Sequence, residues 1–176
     1  EPGRWMPGSE YYRRTPQDQA DWPTESRTDG FVQVAIVYSG QTIAVYRDGA
    51  EYAQYEVGEP AAEFLPGAAV LFGRRHLDAT TGDSFHGRIL DARLYSVALD
   101  PGDLRSLRPG EAPETPWAWW YFSDGSLAER TGRYGQYAIE GDVRLREGAL
   151  ELGGNGATLI ARPAAQTLST WRPGAP

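Results

Sequence analysis

The chain of 176 residues contains no cysteine, which excludes a disulfide scaffold and any thiol chemistry. Imidazoles come only from His76 and His86, below the usual ligand count of a zinc or iron site. Lysine is absent as well: all 17 basic residues are Arg, and the sole asparagine is Asn155. A GC-rich coding bias produces that pattern, so no function is read from it. No apolar run approaches the ~20 residues that a membrane-spanning helix requires, and the mean hydropathy is -0.53. Against the 17 Arg stand 24 acids, and a net charge of -7 argues against nucleic acid or an anionic membrane as partner. Neutral ligands stay open. The chain opens at Glu1 rather than Met, shows no signal-peptide pattern among its residues and closes on Trp171-Arg172-Pro173-Gly174-Ala175-Pro176. It therefore reads as an excised piece of a longer protein.

What is present is punctuation. With 21 Gly and 13 Pro, turn signals recur every ten residues or so, and the segments between them alternate or run β-branched. This predicts an all-β, antiparallel sandwich. Phe31 to Tyr38 is apolar on both faces and reads as a central strand. Ser39-Gly40 and Asp48-Gly49 then turn the chain into Thr42–Arg47 and Tyr52–Val57, giving a three-stranded meander. Further strands are expected at 69–73, 85–95, 117–122, 137–139, 143–146, 149–152 and 157–161, the last four separated by Gly-containing hairpin turns. One helix is expected: Asp100 caps it, Pro101 opens it, Leu104 and Leu107 form its apolar stripe, and Pro109-Gly110 stops it. Residues 1–30 show no period and read as an irregular layer packed on a sandwich spanning 31–162. Residues 163–176 read as a linker.

Two stretches resemble a known family. Val32–Tyr38 followed by Ile43-Ala44-Val45-Tyr46-Arg47-Asp48-Gly49 is similar to the paired strands of laminin-G-like, concanavalin A-like jelly rolls. Phe85-His86-Gly87-Arg88-Ile89-Leu90-Asp91-Ala92-Arg93-Leu94-Tyr95-Ser96-Val97-Ala98-Leu99 resembles that family's closing strand and the helix after it. Leu90 stands where the family usually has an acid, a departure that bears on any metal role of that acid. Trp120-Tyr121-Phe122-Ser123-Asp124-Gly125, Thr131-Gly132 and Leu150–Ala157 resemble strands that come first in ordinary members, yet here they follow the helix. Either the jelly roll is circularly permuted or a second module begins; at this length permutation is the more economical reading, because half a jelly roll would expose its edges and core. The whole pattern also resembles an accessory region found ahead of the catalytic domain in some bacterial glycoside hydrolases of family 32, which cleave β-fructosides. None of that family's catalytic motifs occurs in the chain. The resemblance implies a secreted or periplasmic, non-catalytic module whose partners are a polysaccharide or oligosaccharide, β-fructans among them, and a parent catalytic domain. The alternative is a structural or docking domain packed against that catalytic domain.

Spacing selects no acid pair for glycoside hydrolysis among the 24 acids. Ser84, His86 and Asp91 lack a nucleophile-elbow pattern, and no triad is expected. Aromatics are the better lead, since sugar rings stack on flat side chains while Arg, Asp and Asn bond the hydroxyls. Strand alternation, with the family comparison placing Trp120 and Phe122 in the core, leaves Trp119 and Tyr121 to face a binding surface. The loop Arg74-Arg75-His76, and Tyr12 and Trp22 from the N-terminal layer, complete the candidate ligand-binding set. No cofactor is expected beyond a structural Ca²⁺ for which Asp124 and Glu129 are the candidate ligands.

Overall fold

The computed structural model describes residues 3–8, 13–16, 18–60, 64, 67–77 and 84–164. They divide into two compact units: one drawn from 1–63 and 95–107, the other from 64–94 and 108–171.

In the first unit, β1 (Val34–Ser39), β2 (Thr42–Arg47) and β3 (Ala50–Glu56) form the expected antiparallel meander in that order. The central strand is β2, whose Ile43 to Tyr46 are all buried, whereas β1 lies at the edge and leaves Ile36 exposed. An uninterrupted apolar run is the signal for a central strand; among the described strands it marks one that pairs with β2 alone. Helix α1 (Pro101–Ser106) starts as its sequence dictates, with the Asp100 carboxylate accepting from Gly102 N and Asp103 N at 2.6 and 2.9 Å. Its Leu104 joins Leu99, Ala44 and Tyr46 in a small core. Side chains tie the described residues of the N-terminal layer down. Trp22 stacks on Tyr55 of β3 with ring centroids 5.5 Å apart, and Tyr55 OH donates to Arg14 O. Trp5 Nε1 donates to Glu25 at 3.0 Å, and Glu25 pairs with Arg47 of β2 at 3.0 Å. These donors, Arg47 foremost, hold the Glu25 carboxyl down at about 2.

In the second unit, β4 (Val70–Phe72), β5 (His86–Ile89) and β6 (Asp91–Leu94) each pair antiparallel with a strand that comes later in the chain. The later strands are β7 (Ala118–Tyr121), β8 (Tyr134–Glu140), β9 (Val143–Arg146), β10 (Ala149–Gly153) and β11 (Thr158–Pro163). They form two three-stranded sheets, β5-β10-β9 and β4-β11-β8, and a β6-β7 ribbon. The C-terminal strands thus complete a structure begun at residue 70 and do not stand as a module of their own. The stretch 85–95 breaks at Leu90, whose carbonyl accepts from Phe122 N at 3.0 Å. Two of the expected hairpin turns are corners instead. Gly141-Asp142 and Gly154-Asn155-Gly156 carry the chain from one three-stranded sheet to the other. The second corner needs three left-handed residues in succession, with φ of 73°, 49° and 83°, which Gly-Asn-Gly adopts at least cost. Trp120, Phe122, Leu150, Leu152, Leu159 and Phe72 fill the core of the unit, the first five fully enclosed.

Candidate functional site

Strand alternation on β7 holds as expected: Ala118 and Trp120 are buried, while Trp119 and Tyr121 are half-buried on the other face. Trp119 lies directly across from Arg93 of β6. The Arg93 and Arg130 guanidiniums sit 4.9 and 4.5 Å from the indole ring centre, and Arg130 also lies 4.7 Å from the Tyr121 ring. Asp91 organises the cluster. It takes both nitrogen arms of Arg93 at 2.9 and 2.7 Å, the Trp119 Nε1 hydrogen at 3.1 Å and Gly110 N at 2.8 Å. Gly110 packs against the Tyr121 ring, where a β-carbon would stand 2.9 Å from Cζ. The candidate pair is therefore assembled with its indole N–H engaged and its rings lying under guanidinium groups.

The Arg74-Arg75-His76 loop lies elsewhere in the same unit, at the end of β4. Arg74 is a strut: it donates to Gly156 O at 3.2 Å and pairs with Glu140 at 3.0 Å. Arg75 and His76 are exposed. Arg74 also bridges to Ser84, whose Oγ accepts from Gly156 N at 2.9 Å, so three loops are drawn together. Next to Ser84, Phe85 donates its N–H to Gly73 O and stays 42 % exposed. Its ring lies down on the strand, because a β-carbon at Gly87 would meet Phe85 Cζ at 2.7 Å. His86, exposed, stands beside Gly154 of the β10 to β11 corner, and Asn155 of that corner is exposed as well. In the sequence Phe85 stands as the first residue of a strand and of the closing-strand motif, not as a binding candidate. The available signal was Phe-x-Gly: on a pleated strand the glycine two positions on leaves the space into which a ring folds.

Trp22 belongs to the other unit, half-buried against Tyr52 and Tyr55. Burial raises the Tyr55 hydroxyl to about 12. Tyr12 falls outside the described residues.

The structure does not bring Ser84, His86 and Asp91 into a relay: Ser84 serves Gly156, and the Asp91 oxygens are taken by Arg93, Trp119 and Gly110. The candidate calcium ligands also have other duties. Glu129 is buried, and its two oxygens accept four backbone N–H groups, from Trp119, Thr131, Arg133 and Tyr134, at 2.7–3.3 Å. Tyr137 adds to the knot, its hydroxyl accepting from Glu129 N and donating to Tyr134 O. Burial raises the pKa of both tyrosines, so Tyr137 keeps the proton it donates. Asp124 pairs with Arg130 at 2.9 Å. A carboxylate surrounded by N–H hydrogens does not fit a cation, and calcium finds no donor set at Glu129.

The strand content, the antiparallel pairing and the enclosed aromatic core are those of a β-sandwich protein. A sequence model described as the concanavalin A-like lectin/glucanases superfamily (Laminin G 3) matches residues 5–105, more than half of the chain. The chain belongs to that superfamily. No curated protein and no solved structure matches it.

Proposed function

We propose that the chain is a non-catalytic, lectin-like carbohydrate-binding module. The observation that supports this best is the Phe85 ring, its tip over Gly87 and the residue 42 % exposed, at an end of the unit where Arg75, His76, His86 and Asn155 are exposed. A flat apolar surface flanked by amide, imidazole and guanidinium donors is what a sugar ring with equatorial hydroxyls requires. Among the described residues, the acids Glu140 and Asp142 at this end are each paired with an arginine, at 3.0 and 2.7 Å. Membership of the superfamily agrees with this reading, though the fold hosts several functions and carries it only as context. The attachment to a glycoside hydrolase, the β-fructan ligand and the secreted or periplasmic location implied by the family 32 resemblance belong to the same proposal.

The test is a glycan array with levan, inulin and common plant and algal polysaccharides, comparing wild type with Phe85→Ala, Arg75→Ala and Trp119→Ala. Loss of binding in Phe85→Ala and Arg75→Ala at unchanged melting temperature supports the Phe85 end. Loss only in Trp119→Ala moves the site to the guanidinium-covered pair. Absence of binding to every glycan overturns the reading. A docking role then gains, on one observation: Ile139 and Leu145, 52 % and 36 % exposed on β8 and β9, offer apolar surface to a neighbouring domain.

A further inference from the structure

Asn155 is the sole asparagine of the chain, and a glycine follows it. Such a pair can react with itself. The Gly156 peptide nitrogen, once its proton has left to solvent base, attacks the carbonyl carbon of the Asn155 side chain. A cyclic imide forms as the side-chain amide departs as ammonia. Water then opens the imide at either of its carbonyls and leaves aspartate or isoaspartate. Glycine puts no side chain in the way of the attack, and Asn155 is exposed to the water and base these steps consume.

The folded corner opposes the reaction. Ala157 N donates to Gly154 O at 2.8 Å across Asn155 and Gly156, whose φ of 49° and 83° are those of a type I′ turn. In that turn ψ of the first central residue is about +30°, and an L-residue then carries its β-carbon and the next peptide nitrogen on opposite sides of the Cα–C bond. Imide closure needs them on the same side, so the turn must open first. The attacking nitrogen is also engaged, donating to Ser84 Oγ at 2.9 Å. Gly156 O accepts from Arg74 at 3.2 Å and from Thr158 Oγ1 at 2.8 Å, so this buried residue is held at both ends. Neighbouring backbone closes in as well: a β-carbon at Gly73 would stand 2.1 Å from Ala157 O, and one at Gly141 would stand 3.1 Å from Ala157 Cα.

The clamp is uneven. Thr158 is buried, and the Arg74 guanidinium is braced by Glu140 at 3.0 Å. Ser84 is only half-buried, with exposed Phe85 and His86 next to it in the chain.

We infer that Asn155 is a deamidation site under conformational guard, with Ser84 as the guard. The Ser84 contact to Gly156 sets how often the corner opens, and each opening offers the pair to imide formation. The outcome is one-way, because ammonia is lost. Either product sets a carboxylate at the end of the unit where Phe85 lies. Isoaspartate also routes the backbone through its β-carbon and adds an atom to a corner of three left-handed residues, which then does not reclose in its former geometry. The inference stands apart from sugar binding, since no glycan enters its test.

The protein is incubated at mildly alkaline pH, folded and in denaturant, and conversion at Asn155 is followed by peptide mapping with mass spectrometry. The folded chain should convert about tenfold or more slowly than the denatured one. Ser84→Ala should raise the folded rate about fivefold, the net worth of one hydrogen bond, while Ser84→Thr, which keeps the hydroxyl oxygen, should hold the wild-type rate. Ser123→Ala removes a 2.7 Å hydrogen bond to Gly148 O elsewhere in the same unit and should not raise the rate, because the opening is local. Wild type supplies a readout without mutation: in mild denaturant, Gly156 amide exchange and Asn155 conversion should rise in step, since both pass through the same opening. Equal rates in the folded and denatured chain overturn the inference, as does a Gly156 amide that exchanges as in a free peptide. So does a Ser84→Ala variant with an unchanged rate, or one matched by Ser84→Thr or Ser123→Ala.

Discussion

The two units solve the same problem with different means. The first keeps a small core, Ala44, Tyr46, Leu99 and Leu104, and fastens its irregular N-terminal layer with an ion pair, an indole hydrogen bond and a stacked Trp22. In the second, two sheets and a ribbon exchange strands around Trp120, Phe122 and four further large apolar side chains, and its irregular connection from 125 to 133 is fixed by one buried carboxylate. Charge divides the same way: 13 acids against 6 Arg in the stretches of the first, 11 against 10 in those of the second. A segment without regular structure can thus be fixed by an ion pair and ring stacking at a sheet surface or by one buried carboxylate that gathers its amides, and the two respond differently to mutation and to pH.

Cutting into the better-filled core should have the largest effect. Trp120 is 1 % exposed, and Trp120→Ala is expected to cost about 3–5 kcal/mol, measured by chemical denaturation, with hydrogen-exchange protection lost first across β7, β10 and β11. Glu129→Ala comes next. Leaving four backbone N–H groups without their acceptor should cost about 3 kcal/mol, and the loss of Trp119 and Tyr134 amide protection would distinguish it from a general loosening. In the first unit, Asp100→Ala removes the cap of α1 and should cost about 1 kcal/mol by the same denaturation assay.

The smallest and most selective effect is on pH. Glu25 has a folded-state pKa lowered from 4.5 to about 2, so its contribution is fully present above pH 4.5 and is lost as pH falls through 2. Trp5 fluorescence and the Glu25 carboxyl NMR shift should both titrate in that window, and Glu25→Gln should abolish the transition. A Glu25 that titrates at an ordinary carboxylate pKa would break the contrast drawn between the units.

Much of the secondary structure was legible because its signals are local. Asp-Gly turns, the Asp100-Pro101 helix start and period-2 alternation depend on neighbours within a few residues, and β2, β9 and α1 fall where those signals put them. The burial of Trp120 and Phe122 was legible from the family comparison. Harder to read was the role of polar residues. Glu129 resembles a metal ligand in sequence and becomes an acceptor for four amides only once Trp119 and residues 131–134 surround it. Likewise Trp119 satisfies every one-dimensional criterion for a stacking platform, but two arginines from separate stretches, 93 and 130, converge on its ring.

The amino-acid sequence by itself determined the class of the protein: turn chemistry and hydrophobic period placed most of the strands and the buried face of β7, and two motifs pointed to the family. Partnership between strands was decided only in three dimensions. Whether β1 sits at the edge or the centre, whether Gly154-Asn155-Gly156 closes a hairpin or turns a corner, and which late strand completes β4, β5 and β6 all depend on backbone hydrogen bonds between residues tens of positions apart. Every residue but proline offers the same N–H and C=O to such a bond, so composition cannot distinguish among partners; the observed pairing is the one that encloses the Trp120 core.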